Sequence, residues 1–189
     1  MKGKIRLSEP LKNHTSFKIG GRAKFFVEPK DTADLKLLLN LVKKHKVPVF
    51  VIGAGSNILI SDRGVNGLVT RLNSPFFKKV SLKNNCLEAG SGTELSRLLL
   101  FAYQHGLSGL EFLAGIPGTL GGALAMNAGI PEENIADAVE KVTVMDYNGR
   151  IKILNKKNIK FSYRQSSLAK YIILSTQIKL RKKKKKEIR

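Results

Sequence analysis

The sequence predicts an α+β fold made of two lobes. Along the chain, the spacing of apolar residues switches between the pattern typical of strands and the three- and four-residue spacing typical of helices. A chain of 189 residues can bury a substantial core in one domain or in two small ones. Its single cysteine, Cys86, has no partner for an intramolecular disulfide and favours a reducing compartment. We therefore expect a fold that needs no disulfide or metal ion to hold it together.

The first predicted lobe, residues 1–72, contains a β-α-β unit. Residues 25–27 are typical of a short strand, and Asp31 stands where it can cap a helix whose leucines recur at helical spacing. Residues 47–52 predict a buried strand that leads into a glycine-containing turn at residues 53–57.

The second predicted lobe, residues 73–180, is larger and mixes strands with short helices. Thr93 begins an amphipathic helix that Gly106 closes, and Asn148 with Gly149 predicts a tight hairpin turn. Strand-like segments are predicted, on both sides of the lobe boundary, at residues 58–60, 67–70, 79–82, 87–89, 141–146, 150–154 and 171–180. A short helix of small residues is expected near residues 119–127.

The chain is strongly basic, with a formal net charge of +20. Eight of its 34 Lys and Arg residues fall between Lys179 and Arg189, and we expect residues 181–189 to form a solvated, disordered basic tail. Such a tail could dock on RNA or on an anionic membrane. The rest of the chain lacks the interleaved aromatic and basic residues of a single-strand binder and has no Trp. A nucleic-acid-binding module is therefore the less favoured alternative.

Targeting and metal signals are missing from the sequence. No apolar run approaches the length of a membrane span, and no secretory h-region follows the basic N-terminal residues. We expect a cytoplasmic protein with no membrane span. His14, His45 and His105 have no metal-ligand spacing, so we expect no metal site.

The turn at residues 53–57 resembles the head of a dinucleotide-binding loop. Ile58 stands where the third glycine of that loop would be, and a β-rich segment follows instead of a helix, which excludes a Rossmann fingerprint. No Lys-Ser or Lys-Thr follows the glycines, which excludes a P-loop. The turn either presents exposed amides to a pyrophosphate or is an ordinary tight turn. Its residues are Gly53, Ala54, Gly55, Ser56 and Asn57.

A second glycine-rich segment has the same character. Seven of the 17 glycines lie between Gly106 and Gly129. Pro117 fixes a turn, and Thr119 stands at the expected helix start, where free N–H groups and a hydroxyl could meet an anion. The two turns could bracket one long ligand with a central diphosphate, or they could be unrelated. The residues of the second turn are Gly115, Ile116, Pro117, Gly118, Thr119, Gly121 and Gly122.

Four segments resemble, in order, the UDP-N-acetylenolpyruvoylglucosamine reductase family of flavoenzymes. They are residues 13–21, 53–62, 109–129 and 161–164. The resemblance implies an FAD-binding fold of the vanillyl-alcohol-oxidase / p-cresol methylhydroxylase type, with FAD bound non-covalently between two α+β lobes. It also implies that both glycine turns and Asn127 bind the cofactor.

The resemblance further implies a reaction of peptidoglycan precursor synthesis. NADPH would give a hydride to the flavin, which would pass it to the enolpyruvyl carbon of a UDP-sugar. Tyr163 and Arg164, taken alone, would be a packed ring and a surface ion pair. They match the family's Tyr-Arg motif, so Arg164 is expected to be the catalytic cation beside the substrate carboxylate, with Tyr163 supporting the same site.

The sequence also departs from the family pattern. The family continues into a third domain that caps the substrate and carries a serine proton donor and a glutamate, and we expect that domain to be absent from this sequence. The residues after Gly129 also differ from the family's usual ones. We expect flavin chemistry to survive and full turnover to need the cap, which a separate chain could supply. The alternative is a flavin-binding fragment or subunit without full activity of its own.

Overall fold

The first sheet is mixed, and its parallel strands end at a common edge. A computed structural model describes residues 1–83 and 86–188. The elements of the first lobe are β1 (Lys4–Pro10), β2 (Arg22–Glu28), α1 (Thr32–Lys44), β3 (Val49–Ile52) and β4 (Val65–Arg71). The strand order is β1-β2-β4-β3, with β1 antiparallel to β2, and with β2 and β3 both parallel to β4. Because β3 and β4 are parallel, Ile52 and Arg71 are paired at their carboxyl ends.

The predicted β-α-β unit is confirmed as β2, α1 and β3. The Asp31 side chain caps α1 by accepting a hydrogen bond from the Asp34 N–H at 2.9 Å. Leu35 and Leu39, on the inner face of the helix, are buried. The prediction of a strand at residues 58–60 is wrong. These residues lie in an irregular segment, and the Ser61 carbonyl that follows accepts a hydrogen bond from the Gly21 N–H at 3.0 Å.

The second sheet is antiparallel and has five strands. Its lobe contains, in chain order, β5 (Val80–Lys83), β6 (Cys86–Gly90), α2 (Leu95–Gln104), β7 (Leu107–Ser108), α3 (Leu120–Ala125), α4 (Ile135–Ala138), β8 (Val139–Met145), β9 (Ile151–Asn155), β10 (Phe161–Ser162), β11 (Gln165–Ser166), β12 (Ile172–Lys179) and β13 (Arg181–Lys182). The order of the sheet is β5-β6-β12-β8-β9. The predicted hairpin turn is confirmed, since Asn148 and Gly149 lie between β8 and β9.

The two lobes share part of their core. One buried cluster joins Leu35 and Leu68 of the first lobe to Met145, Ile172 and Leu174 of the second. The predicted division at residue 72 falls in the connection between β4 and β5, but this cluster packs the two sheets into one body. Removing such apolar surface from water supplies most of the free energy that holds the lobes together.

The sequence predicts a disordered tail from residue 181, and this prediction is wrong for the first residues of the tail. β13 pairs with β7, and the Lys183 N–H donates to the Gly106 carbonyl at 2.9 Å. The lysine side chains are exposed, so charge does not prevent the backbone from joining a free strand edge. Arg189, the last residue of the predicted tail, lies outside the described residues. Within the described ranges, no helix is long and apolar enough to cross a membrane.

Candidate functional site

A cavity of about 330 Å³ lies between the two lobes, beside the carboxyl ends of β3 and β4. Crevices at the carboxyl ends of parallel strands are the usual ligand sites of open sheets. The first lobe lines the cavity with Val49, Phe50, Val51, Ile52, Gly53, Arg71, Leu72 and Asn73. The second lobe lines it with Ser91, Gly92, Thr119, Gly121, Gly122, Ala125, Tyr147, Ala169, Tyr171 and Ile173.

The two glycine turns predicted from sequence meet at this cavity. A Cβ atom on Gly53 would lie 2.5 Å from the Thr119 Oγ1 atom, so the close approach requires glycine. The Ser56 hydroxyl donates a hydrogen bond of 2.8 Å to the Pro117 carbonyl. The turns are therefore adjacent in space, as expected for two turns that bracket one ligand.

The first turn carries four free backbone donors. Among residues 1–83 and 86–188, none accepts a hydrogen bond from the N–H groups of residues 54–57. Gly55 has a left-handed backbone (φ 71°) and packs against the His14 carbonyl, while its own carbonyl accepts from the Ser16 N–H at 3.0 Å. The segment around His14 thus packs against one side of the first turn, and the N–H groups of residues 54–57 remain open to a ligand.

The second turn differs from the prediction in its donors. Thr119 caps α3 as expected, with its hydroxyl oxygen 3.4 Å from the Gly122 N–H. The Leu120 and Gly121 N–H groups are not free, because they donate to the Thr93 and Ser91 carbonyls, each at 2.8 Å. The expectation of free N–H groups is therefore wrong at the first two residues of α3, which begins against a neighbouring backbone segment. No described residue accepts a hydrogen bond from the Gly118 and Thr119 N–H groups just before the helix.

Sequence reasoning missed several polar residues of the cavity, and two of them bear on its chemistry. Ser91 is 4% exposed, and its hydroxyl has no hydrogen-bond partner among the described residues. Arg71 is the one charged residue in the described cavity lining, and no described carboxylate lies within ion-pair distance of it. The signal for Arg71 in the sequence is its position directly after the strand predicted at residues 67–70; the structure pairs the end of that strand with the one that leads into Gly53.

Residues 54–57 of the first turn and residues 115–118 of the second lie beside the cavity and are not part of its lining, so each turn reaches the cavity wall through its other residues, Gly53 in the first and Thr119, Gly121 and Gly122 in the second. The Ile116 N–H donates to the Leu113 carbonyl at 3.1 Å, and the Gly118 carbonyl accepts from the Leu95 N–H at 3.1 Å. A Cβ atom on Gly115 would meet open space. Asn127 is buried and does not line the cavity; its side-chain amide contacts protein backbone.

Tyr163 and Arg164 form the turn between β10 and β11, called here the Tyr-Arg turn. Tyr163 is 85% exposed, and the Arg164 guanidinium carbon lies 5.4 Å from the centre of its ring. The Arg164 Nη1 atom donates to the Gly129 carbonyl at 3.0 Å, and no ion pair to a described carboxylate is formed. The guanidinium is therefore held by a neutral acceptor, which leaves its charge available to an incoming anion.

Comparison with known proteins identifies relatives over nearly the whole chain. The FAD binding domain family matches residues 23–155. UDP-N-acetylenolpyruvoylglucosamine reductases from Caldanaerobacter subterraneus and Clostridioides difficile are each 42% identical, over 99% and 98% of this chain. The alignments cover 62% and 61% of those two proteins, so this chain spans about three fifths of their length.

Solved structures show the same fold. The UDP-N-acetylenolpyruvylglucosamine reductase of Thermus caldophilus superposes with a TM-score of 0.83 at 35% identity, covering 99% of this chain and 65% of that one. Cholesterol oxidase from Brevibacterium sterolicum superposes with a TM-score of 0.70 at 14% identity, covering 96% of this chain and 38% of that one. The predicted fold class, a two-lobed α+β fold of the vanillyl-alcohol-oxidase type, is confirmed.

Proposed function

The chain belongs to the FAD binding domain family, and from this premise we propose that it binds FAD non-covalently in the cavity between its lobes. The observation that carries the proposal is the meeting of both glycine turns beside the carboxyl ends of β3 and β4. A dinucleotide with a central diphosphate is long enough to contact both turns at once. FMN and riboflavin both lack the adenosine half of FAD, so they could use only part of this site.

The residues around the cavity fit this cofactor. The open N–H groups of residues 54–57 would donate to the diphosphate, and Arg71 would offset part of its charge. The Ser91 hydroxyl, buried without a partner, gains one if a polar ligand atom lies beside it, which removes the penalty of an unmade hydrogen bond. Gly121 and Gly122 present no side chain to a flat ring.

We propose that this site serves the reduction of a UDP-N-acetylglucosamine enolpyruvate to UDP-N-acetylmuramate in peptidoglycan precursor synthesis. When bound, FAD supplies hydride transfer from NADPH to the enolpyruvyl carbon. Arg164 would bind the substrate carboxylate and stabilise the negative charge that develops there, while Tyr163 stacks against the guanidinium. The uncompensated charge of Arg164 supports this role.

We propose that groups outside these 189 residues also contribute to the reaction. The chain spans about three fifths of the related reductases from Caldanaerobacter and Clostridioides. A polypeptide of these 189 residues would then be a flavin-binding unit of low activity on its own, and a separate chain that caps the substrate would raise turnover. A cytoplasmic location, where UDP-sugars and NADPH are found together, follows from the proposed reaction.

Titration of the purified chain with flavins tests the proposal. FAD should bind and lose fluorescence, while riboflavin, which lacks the diphosphate and adenosine, should bind at least about tenfold more weakly. Equal affinity for the two ligands would show that the diphosphate is not recognised. The absence of any FAD binding would overturn the proposed function.

A further inference from the structure

The Tyr-Arg turn is fastened to the end of α3 by two side chains. The Asn127 Nδ2 atom donates to the Ser162 carbonyl at 3.1 Å, immediately before the turn. The Ser166 hydroxyl donates to the Leu124 carbonyl at 2.8 Å, just after the turn. Since α3 also presents Gly121 and Gly122 to the cavity, the same short helix connects the candidate cofactor site to Arg164.

Asn127 uses both ends of its amide group on protein backbone. Its Oδ1 atom accepts a hydrogen bond of 3.3 Å from the Ala136 N–H at the start of α4. The residue is 9% exposed and has a left-handed backbone (φ 44°), a conformation that asparagine tolerates better than most residues. Its side chain therefore ties the β10 end of the hairpin to α4.

The same connection holds the Arg164 guanidinium. Arg164 donates to the carbonyl of Gly129, which lies two residues after Asn127 between α3 and α4. Arg164 itself has a left-handed backbone (φ 55°), which is unfavourable for a residue with a long side chain unless the surrounding contacts hold it. Asn127 restrains both partners of this contact: the hairpin that carries Arg164 and the connection that carries Gly129.

We propose that Asn127 is a positioning residue for Arg164 and not a contact of the flavin. Its buried amide fixes the Tyr-Arg turn relative to the Gly129 carbonyl, and so fixes where the guanidinium lies. The importance of Arg164 for catalysis rests on the proposed function. The positioning itself concerns only contacts within this chain, so it is tested separately.

The experiment observes the Arg164 side chain directly in the 189-residue chain. The Nε–Hε signal of Arg164 is measured by NMR on ¹⁵N-labelled protein and is assigned with Arg164→Lys. Asn127→Gly keeps the left-handed backbone accessible and removes both side-chain hydrogen bonds. It should move the Arg164 signal to the position of exposed arginines and raise its mobility. Asn127→Asp keeps the acceptor for Ala136 but loses the donor to Ser162, and it should have the same effect on Arg164.

A matched control separates this effect from a general loss of α4. The Asn134 side chain caps α4 and also accepts from the Ala136 N–H, at 3.2 Å. The Asn134 backbone and Cβ atom pack against Gly129, and both are kept in an alanine variant. Asn134→Ala should therefore leave the Arg164 signal in place. FAD affinity should stay within about two-fold of wild type in both Asn127 variants, because both ends of the Asn127 amide are occupied by protein backbone and not by the site.

Two results would overturn the proposal. One is an Arg164 signal that does not move in folded Asn127→Gly and Asn127→Asp. The other is a loss of FAD affinity in these variants with an unmoved Arg164 signal, which would make Asn127 a cofactor contact. A chain that binds no FAD at all would contradict the proposed function, and the Arg164 signal would still decide whether Asn127 positions it.

Discussion

Arg71 supplies the positive charge of the cavity at a site where no described carboxylate neutralises it. If FAD binds there, Arg71→Gln should weaken FAD binding by about tenfold or more, since hydrogen bonds to charged groups contribute about 1.5–3 kcal/mol. The loss should be smaller at high salt, because salt already screens the attraction in the wild type. Titrations of FAD at low and high ionic strength measure both effects.

Arg97 provides the matched control for this substitution. It lies on α2, is exposed and does not line the cavity, so Arg97→Gln makes the same change in net charge elsewhere. An equal loss of FAD affinity in the two variants would show that overall charge, and not Arg71, attracts the cofactor.

Asp34 ties the N-terminus to α1 and makes the stability of the fold sensitive to pH. Its carboxylate accepts from the N–H groups of Lys2, Gly3 and Lys30 at 2.9, 2.7 and 3.0 Å. Burial alone would raise the pKa of Asp34, but these backbone hydrogen bonds outweigh it and hold the pKa below its ordinary value. A carboxylate of this kind stabilises the fold above its unfolded-state pKa, and the contribution is lost as the pH falls through its folded-state pKa.

Asp34→Asn should therefore lower the free energy of unfolding by about 1–3 kcal/mol at neutral pH. The difference from wild type should shrink as the pH falls through the acidic range in which Asp34 becomes protonated. Urea unfolding at neutral and acidic pH measures this change. A difference that stays constant with pH would mean that the charge of Asp34 is irrelevant to its role.

At the scale of single residues, the sequence predicts the caps better than the ligand contacts. Asp31 and Thr119 could be predicted as helix caps because capping depends on the residue type directly before the helix, which the sequence shows. The Leu120 and Gly121 N–H groups were expected to be free, but they bond to a segment about thirty residues earlier in the chain. Contacts of that range have no local signature in the sequence.

At the scale of elements, the approach of Gly53 to Thr119 fixes how the two turns meet. Gly53→Ala would place a Cβ atom 2.5 Å from the Thr119 Oγ1 atom and force the turns apart, so FAD affinity should fall by about tenfold or more. Removing the opposing atoms with Thr119→Ala should restore part of that affinity in the double variant. Fluorescence titration of the single and double variants measures this coupling.

Gly122→Ala is the control for a methyl group added near the same hydroxyl. Its Cβ atom would lie 3.5 Å from the Thr119 Oγ1 atom, which is an ordinary contact. Because Gly122 lines the cavity, Gly122→Ala should itself weaken FAD binding, but Thr119→Ala should not relieve that loss as it relieves the Gly53→Ala defect. If Thr119→Ala fails to relieve the Gly53→Ala defect, the two turns do not depend on each other for cofactor binding.

The sequence predicts most elements where a local pattern decides them. α1, α3 and the strands of the second sheet follow from apolar spacing, caps and turn residues. β1 was missed and residues 58–60 were wrongly predicted as a strand, because the conformation of both segments depends on contacts with chain segments distant in sequence. β13 was missed for the same reason: its Arg181 and Lys182 belong to a basic run that predicts a disordered tail, while its backbone pairs with β7.

At the scale of the whole molecule, the shared core sets the distance between the two glycine turns. Leu35 and Leu68 of the first lobe pack with Met145, Ile172 and Leu174 of the second, so the walls of the cavity belong to one packed body. Apolar patterns in the sequence mark these residues as buried, but the patterns do not show that the residues pack against the other lobe. The site therefore depends on a contact that only the folded molecule reveals.

The most direct measurement is an NMR titration of the ¹⁵N-labelled chain with FAD, read at each backbone amide. The proposed site predicts the largest shifts at Ala54, Gly55, Ser56 and Asn57, with further shifts at Arg71 and Ser91, on both sides of the cavity. Riboflavin should leave the amides of residues 54–57 nearly unchanged, because it carries no diphosphate. Shifts confined to one lobe, or largest away from this turn, would contradict the claim that FAD binds between the lobes on these amides.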